Sequence, residues 1–345
     1  MNISLNMRRL VALSAALVLA SACAPSPGEN SVVVYTALDS EFSEPILQDF
    51  SKETGVTAQS KFDTESTKTV GLTQALMAEA RRPRCDVFWN NEILNTLRLE
   101  REGLLDVYRS PASEAYPELW RSSTGMYHAF AARARILLVN TDLVLEADRP
   151  TSIEDLANPQ WKGRTALAKP LFGTTATHAA CLFASLGPNA AKQFFHDLKT
   201  NEVQILAGNK QVAQAVAAGQ LAFGLTDTDD AIAEIEAGRP LAIVYPDQGE
   251  GQMGTLFIPN TLAIIKNCPH PKEARRLIDY LLGPAIEQRL AEGPSAQIPL
   301  NPAVKAKLRV ETPQTIRPME VDFQAAAAHW DEAATFIRDE FAAAD

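Results

Sequence analysis

Cysteine is scarce in this chain of 345 residues, with Cys23, Cys85, Cys181 and Cys268 the whole complement. Beyond Cys23 the number is odd, so the rest cannot all pair within the chain, and none has metal-ligand spacing. Cys85 opens an apolar run and Cys181 lies in a stretch of small residues, so both read as small buried hydrophobes and no catalytic thiol is expected. Histidine is equally sparse. His128, His178, His196, His270 and His329 never fall into H-E-x-x-H or another metalloenzyme spacing. A G-x-S-x-G elbow and a G-x-x-x-x-G-K-[ST] loop are both missing, so nothing proposes a hydrolase or a nucleotide-driven enzyme. An excess of positive charge is missing too. Lys plus Arg is 32 against 42 for Asp plus Glu, a balance of −10. That argues against nucleic acid or an anionic membrane surface as partner. It is compatible with a cationic ligand, and equally with plain solubility.

Long apolar runs are absent except at the N-terminus. Arg8 and Arg9 precede the run Leu10 to Leu19, which is too short to span a bilayer. Ala20-Ser21-Ala22 follows, and this order of charge, apolar stretch and small residues is a secretory signal over residues 1–22. Cys23 comes directly after it, which resembles a bacterial lipoprotein site, although Ala20 stands where Leu is usual. The expectation is a lipid anchor on Cys23, with ordinary cleavage as the alternative, and a Pro/Gly/polar tether over residues 23–31. The mature chain, at −12 once Arg8 and Arg9 are lost, is expected to be soluble. Its length, about 320 residues, favours two domains over one.

Periodicity supports that division. Strand-like runs at 31–35, 56–62 and 85–89 alternate with helical patterns at 43–52, 70–81 and 92–102, which predicts an α/β lobe with a largely parallel sheet. Strand-like segments follow at 126–130 and 135–140. A second α/β unit then runs through strands near 164–168, 221–226 and 242–246, with helices between them. A strand at 255–265 and helices at 271–282, 284–292, 303–308 and 325–344 close the chain. Gly249-Glu250-Gly251-Gln252-Met253-Gly254 matches G-x-G-x-x-G, but β-rich Thr255 to Ile258 follows instead of a helix. A dinucleotide site needs the helix N-terminus to hold the pyrophosphate, so the motif reads as a strand connection.

Several segments together resemble the extracellular solute-binding proteins of ABC importers, in the branch that includes ferric-ion-binding proteins. They are Val32 to Ala37, Cys85 to Glu92, Ser152 to Gly163, Gly219 to Thr226, Ile258 to Ala263 and Pro269 to Ala274. Each is weak alone; their order covers nearly the whole mature chain. The resemblance implies a two-lobed periplasmic-binding-protein fold of type II, with parallel-sheet lobes joined by crossing strands. Lobe 1 would take residues 32–130 and 256–300, lobe 2 residues 131–255, and C-terminal helices residues 301–345. It also implies a monomer in the periplasm or cell envelope, with no cofactor, that delivers a small ligand to a permease. That ligand would be ferric iron or another metal ion, with a phosphonate, polyamine, sugar phosphate or other small organic solute as the alternative.

Ligands of open parallel sheets bind beyond the carboxyl ends of the strands, which points to the loops after Tyr35, Trp89, Ala168 and Thr226. By the resemblance, Tyr35, Asp39, Asn90, Asn91 and Glu92 belong to ligand loops. Ferric-binding relatives place two adjacent tyrosines after the strand equivalent to 221–226. Asp227-Thr228-Asp229-Asp230 stands there instead. Carboxylates at Asp39, Glu92, Asp227, Asp229 and Asp230 can hold a hard cation through oxygen. They can equally pair with a ligand ammonium or merely cap a helix. Gly173, Thr174 and Thr175 open a helix whose free N–H groups suit an anion, or the threonines only cap it.

Overall fold

The computed structural model describes residues 30–63 and 69–342. The expected export signal, the expected lipid-anchor site Cys23 and most of the expected tether lie outside the described residues. Ser31, counted above with the tether, is already the first residue of strand β1 (Ser31–Thr36), paired with Thr57.

One half of the molecule is a sheet in which β1 lies between β2 (Thr57–Phe62) and β3 (Val87–Asn90), all parallel. Helix α1 (Ser40–Thr54) buries Ile46, Leu47 and Phe50 and stops at Gly55, whose φ of 71° no β-carbon opposes. Helices α2 (Val70–Ala78) and α3 (Leu94–Arg101) complete the β-α alternation. In the second half, β5 (Thr165–Ala168) lies between β6 (Gln204–Leu206) and β7 (Phe223–Asp227), again parallel. Around it run α4 (Gly173–Leu186), α5 (Pro188–Thr200), α6 (Asn209–Ala217) and α7 (Thr228–Glu236).

A single strand joins the halves. The two strand-like segments expected at 126–130 and 135–140 form one continuous element, β4 (His128–Asn140), buried along its whole length. Residues 128–134 pair antiparallel with β9 (Phe257–Ile264), and 135–140 pair with β7 and with β8 (Leu241–Val244). β9 in turn pairs antiparallel with β3. The intervening Ala131 has a φ of 40° and marks a bulge rather than a break. Its N–H donates at 2.6 Å to buried Glu287 of α9 (Pro284–Glu292), which also accepts from Leu300 N and Asn301 N. Three backbone donors on one carboxylate fix the bulge against the 298–301 segment.

Two hydrophobic clusters flank this strand. One gathers Val32, Phe50, Trp89, Phe130 and Leu277 of α8 (Pro271–Leu281); the other gathers Leu137, Phe183, Phe195 and Phe223. The C-terminal segment is not one long helix. It is α10 (Phe323–Ala328), α11 (Trp330–Phe336) and a π-helical turn, while the helix expected at 303–308 is irregular chain. Phe336 and Phe341 pack on Phe195, and Arg98 of α3 reaches Asp331. The segment thus touches both halves.

The 249–254 glycines form the connection from β8 to β9. Gly254 has a φ of 88°, and a β-carbon there would lie 2.6 Å from the Pro318 carbonyl oxygen. At this crossing Thr255 N donates to the Arg317 carbonyl and Met319 N donates to the Thr255 carbonyl. Gly254→Ala is therefore expected to lower stability by roughly 1–3 kcal/mol, read as a shift of the urea midpoint at constant slope. No shift would mean the crossing relaxes freely.

Candidate functional site

The ends of β1, β3, β5 and β7 converge on a cleft between the two halves, whose space of about 450 Å³ is partly open to solvent. From the first half, Asp39 and Asn91 line it. From the second come Lys169, Phe172 to Thr175, Ala207 to Asn209, Asp227, Asp229 and Asp230, and from the joining strand Arg133. Carboxylate oxygens of Asp227, Asp229 and Asp230 lie within 4.8 Å of one another. Two helix starts open on the same space. In α4 the first amide with a partner along the helix is Ala176 N, bonded to the Phe172 carbonyl, so the N–H groups of residues 173–175 precede the ladder. α6 presents Gly208 and Asn209.

Arg133 and Arg135 organise the acids. Arg135 Nη1 lies 2.7 Å from Asp227 Oδ1, and Arg133 Nη1 lies 3.5 Å from Asp227 and 3.3 Å from Asp229. Thr174 donates to Asp227 Oδ2 at 2.6 Å, and Asn209 Nδ2 at 3.1 Å. Burial opposes the charged form of Asp227, but the Arg135 and Arg133 guanidiniums and the Thr174 and Arg135 hydrogen bonds hold its carboxyl below the usual range. Burial likewise opposes charge on Arg133, and Asp229 and Asp227 outweigh it, keeping the guanidinium charged. Arg133 Nη2 also donates to the Asn91 carbonyl, which links the two halves across the cleft floor.

The cleft thus brings together eight of the expected residues: Asp39, Asn91, Gly173, Thr174, Thr175, Asp227, Asp229 and Asp230. Four others do not line it. Glu92 is fully buried, and its carboxylate accepts from Leu94 N, Asn95 N, Asn90 Nδ2 and Thr177 Oγ1. It caps α3 and ties that helix to α4, so its oxygens are saturated within the protein. Asn90 gives its Nδ2 to the same network, with Thr96 as the second contact, while its buried Oδ1 has no partner among the described residues. Tyr35 is buried, with Lys61 over its ring, and its hydroxyl donates to Glu79 at 3.0 Å. Burial and Glu79 push its pKa upward, away from a phenolate. Thr228 Oγ1 accepts from Ala134 N and braces α7 on β4. The capping alternative for Asp227 also fails. It occupies the N-cap position of α7 without a side-chain capping bond, because its carboxylate faces the arginines.

Arg133, Lys169 and Asn209 escaped sequence reasoning. For the arginines a signal existed: Arg133-Ala-Arg135 interrupts an otherwise apolar run, and a guanidinium in a buried strand needs a buried partner.

A family model described as bacterial extracellular solute-binding protein matches residues 95–325, more than half of the chain. The chain belongs to that family. Its members are binding proteins that serve ABC importers, not enzymes, and take a small ligand. Among curated relatives, "Iron uptake protein A1" of Synechocystis sp. is 24% identical over 81% of this chain and 81% of its own. A "Putative 2-aminoethylphosphonate-binding periplasmic protein" of Salmonella typhi is 25% identical over 84% and 83%. The fold matches that of iron-bound HitA from Pseudomonas aeruginosa with a TM-score of 0.80, at 21% identity, covering 90% of this chain and 98% of that one. The two-lobed α/β architecture of periplasmic binding proteins is therefore this chain's fold. No helix among the described residues is long and apolar enough to cross a membrane.

Proposed function

We propose that this solute-binding protein carries a hard metal ion, ferric iron first, to an ABC permease. The observation that carries the reading is the Asp227, Asp229 and Asp230 cluster, whose oxygens stand within 4.8 Å of one another at the cleft wall. Carboxylate oxygens suit a hard cation, and Asp39 adds another from the opposite half. The amides at Gly173 to Thr175 would receive the anion that accompanies such an ion. Relatives named for iron uptake support the choice. Titration of the purified protein with ferric nitrilotriacetate is expected to give one-to-one binding. Asp229→Ala should weaken it roughly tenfold to a hundredfold, the effect of losing one charged contact. Failure to bind any metal sinks this reading.

A second reading rests on Arg133. A guanidinium amid the acids and a cleft without tyrosine among its lining residues suit a zwitterion such as an aminoalkylphosphonate. Its ammonium would sit at Asp229 and Asp230, its phosphonate at Arg133 and the α4 start. A thermal-shift screen separates the two, since a ligand at 100 times its Kd stabilises by about 2.7 kcal/mol. We further propose a monomer held in the cell envelope through acylated Cys23. Light scattering and the intact mass of the mature chain test these points.

A further inference from the structure

A second hollow lies on the first half of the molecule and shares no lining residue with the cleft. It encloses about 1120 Å³, part of it open to solvent, where the chain between α3 and β4 folds back over the start of β4. His128 stands in its wall, on the other side of the Ala131 bulge from Arg133.

The wall groups are specific. Tyr116, Trp120 and Tyr127 contribute aromatic surface. Arg109 and Arg121 contribute positive charge, and Glu114 and Glu118 balance it. Arg109 is held in place, its Nη2 donating to the Ser123 carbonyl at 2.9 Å and its chain lying across Gly125. His128 Nε2 is 2.9 Å from the Tyr108 carbonyl, and a carbonyl only accepts, so Nε2 carries the proton. Burial pushes the ring's pKa down to about 4, so at neutral pH the imidazole is uncharged. Nδ1 is then a lone-pair acceptor with no protein partner among the described residues.

We propose that this hollow is an accessory site for a zwitterionic aromatic molecule with a hydrogen-bond donor on its ring, the chemistry of a tyrosine-like amino acid. Its ring stacks on Trp120, and its carboxylate meets Arg109 and Arg121. Its ammonium meets Glu114 or Glu118, and its ring hydroxyl donates to His128 Nδ1. The matched charges of the wall fit a ligand of zero net charge. The site is independent of which solute the cleft takes.

The test is titration of the full chain with L-tyrosine, followed by tryptophan fluorescence and calorimetry. Saturable binding is expected, about tenfold weaker for L-phenylalanine, which lacks the ring donor, and for tyramine, which lacks the carboxylate. Arg121→Ala, at an exposed position, should weaken it by a similar factor. Trp120→Phe should retain the heat of binding while losing the fluorescence change, and Asp229→Ala should leave binding unaltered. Absence of saturation at millimolar tyrosine overturns the proposal. So does equal affinity for all three probes, or loss of binding in Asp229→Ala, which would place the molecule in the cleft.

Discussion

Asp227→Ala is expected to destabilise the protein by about 3–5 kcal/mol, because it strips a buried ion pair of one partner. Asp227 and Arg135 are each about 1% exposed, and Arg133 only 4%. The other side-chain contacts of Arg135 are the neutral Thr174, Thr175 and Asn209, so no carboxylate replaces the one removed. The Arg135 guanidinium then remains without a carboxylate in low-dielectric surroundings, where an uncompensated charge costs more than the pair contributes when intact, while Arg133 keeps Asp229 at 3.3 Å. For a chain of this size the loss corresponds to a fall in Tm of roughly 5–15 °C by calorimetry. Asp227→Asn keeps the shape and the hydrogen-bond acceptor for Thr174, so it should fall between the two. Equal melting of Asp227→Asn and the parent protein would mean that the charge pairing contributes nothing.

Acid should weaken the fold through His178, with an effect of similar size. This side chain lies on the buried face of α4 among Ile153, Leu167, Phe195 and Leu198, and its Nδ1 has no partner. Burial first, and then the Arg135 charge, push its pKa down from 6.5 to about 3. Below pH 6.5 the unfolded chain takes up a proton that the folded chain refuses until about pH 3. Unfolding therefore binds a proton in that window, and stability falls as pH is lowered through it, by about 1.4 kcal/mol per unit once the unfolded histidine is fully charged. Burial raises the pKa of Asp247 and Glu287, so these carboxylates act in the opposite sense and flatten the total curve. Comparison with His178→Gln isolates the histidine. Between pH 6 and 4 the parent protein should lose stability faster than the variant by about 1.4 kcal/mol per pH unit, measured by urea unfolding. Parallel curves would show that the ring titrates normally in the fold.

The cleft also illustrates why acidic loop residues are hard to sort by sequence. Asp227, Asp229 and Glu92 all stand at helix starts after a strand, with the same local signature. Glu92 turns inward and satisfies α3, whereas Asp227 turns to Arg135 and Asp229 to Arg133. The difference lies in what the neighbouring element offers, amide donors in one case and guanidiniums in the other. The amides that hold Glu92 are two and three residues onward, whereas Arg133 and Arg135 lie 96 and 92 residues from the aspartates they hold.

Local pattern alone determined the alternation of strands and helices, the strand connection at Gly249 to Gly254 and the loops that carry the cleft. Period-two and period-3.6 repeats, and helix-stopping glycines, act over a few residues and are written in the chain itself. Only the tertiary structure decided that residues 128–140 form one strand joining two sheets. The pairing with β9 and β7 that sustains it comes from segments about a hundred residues onward. It alone placed Arg133 and Arg135 among the acids and Tyr35 against Glu79, because buried charge and hydrogen-bond satisfaction are settled by whatever packs across the gap.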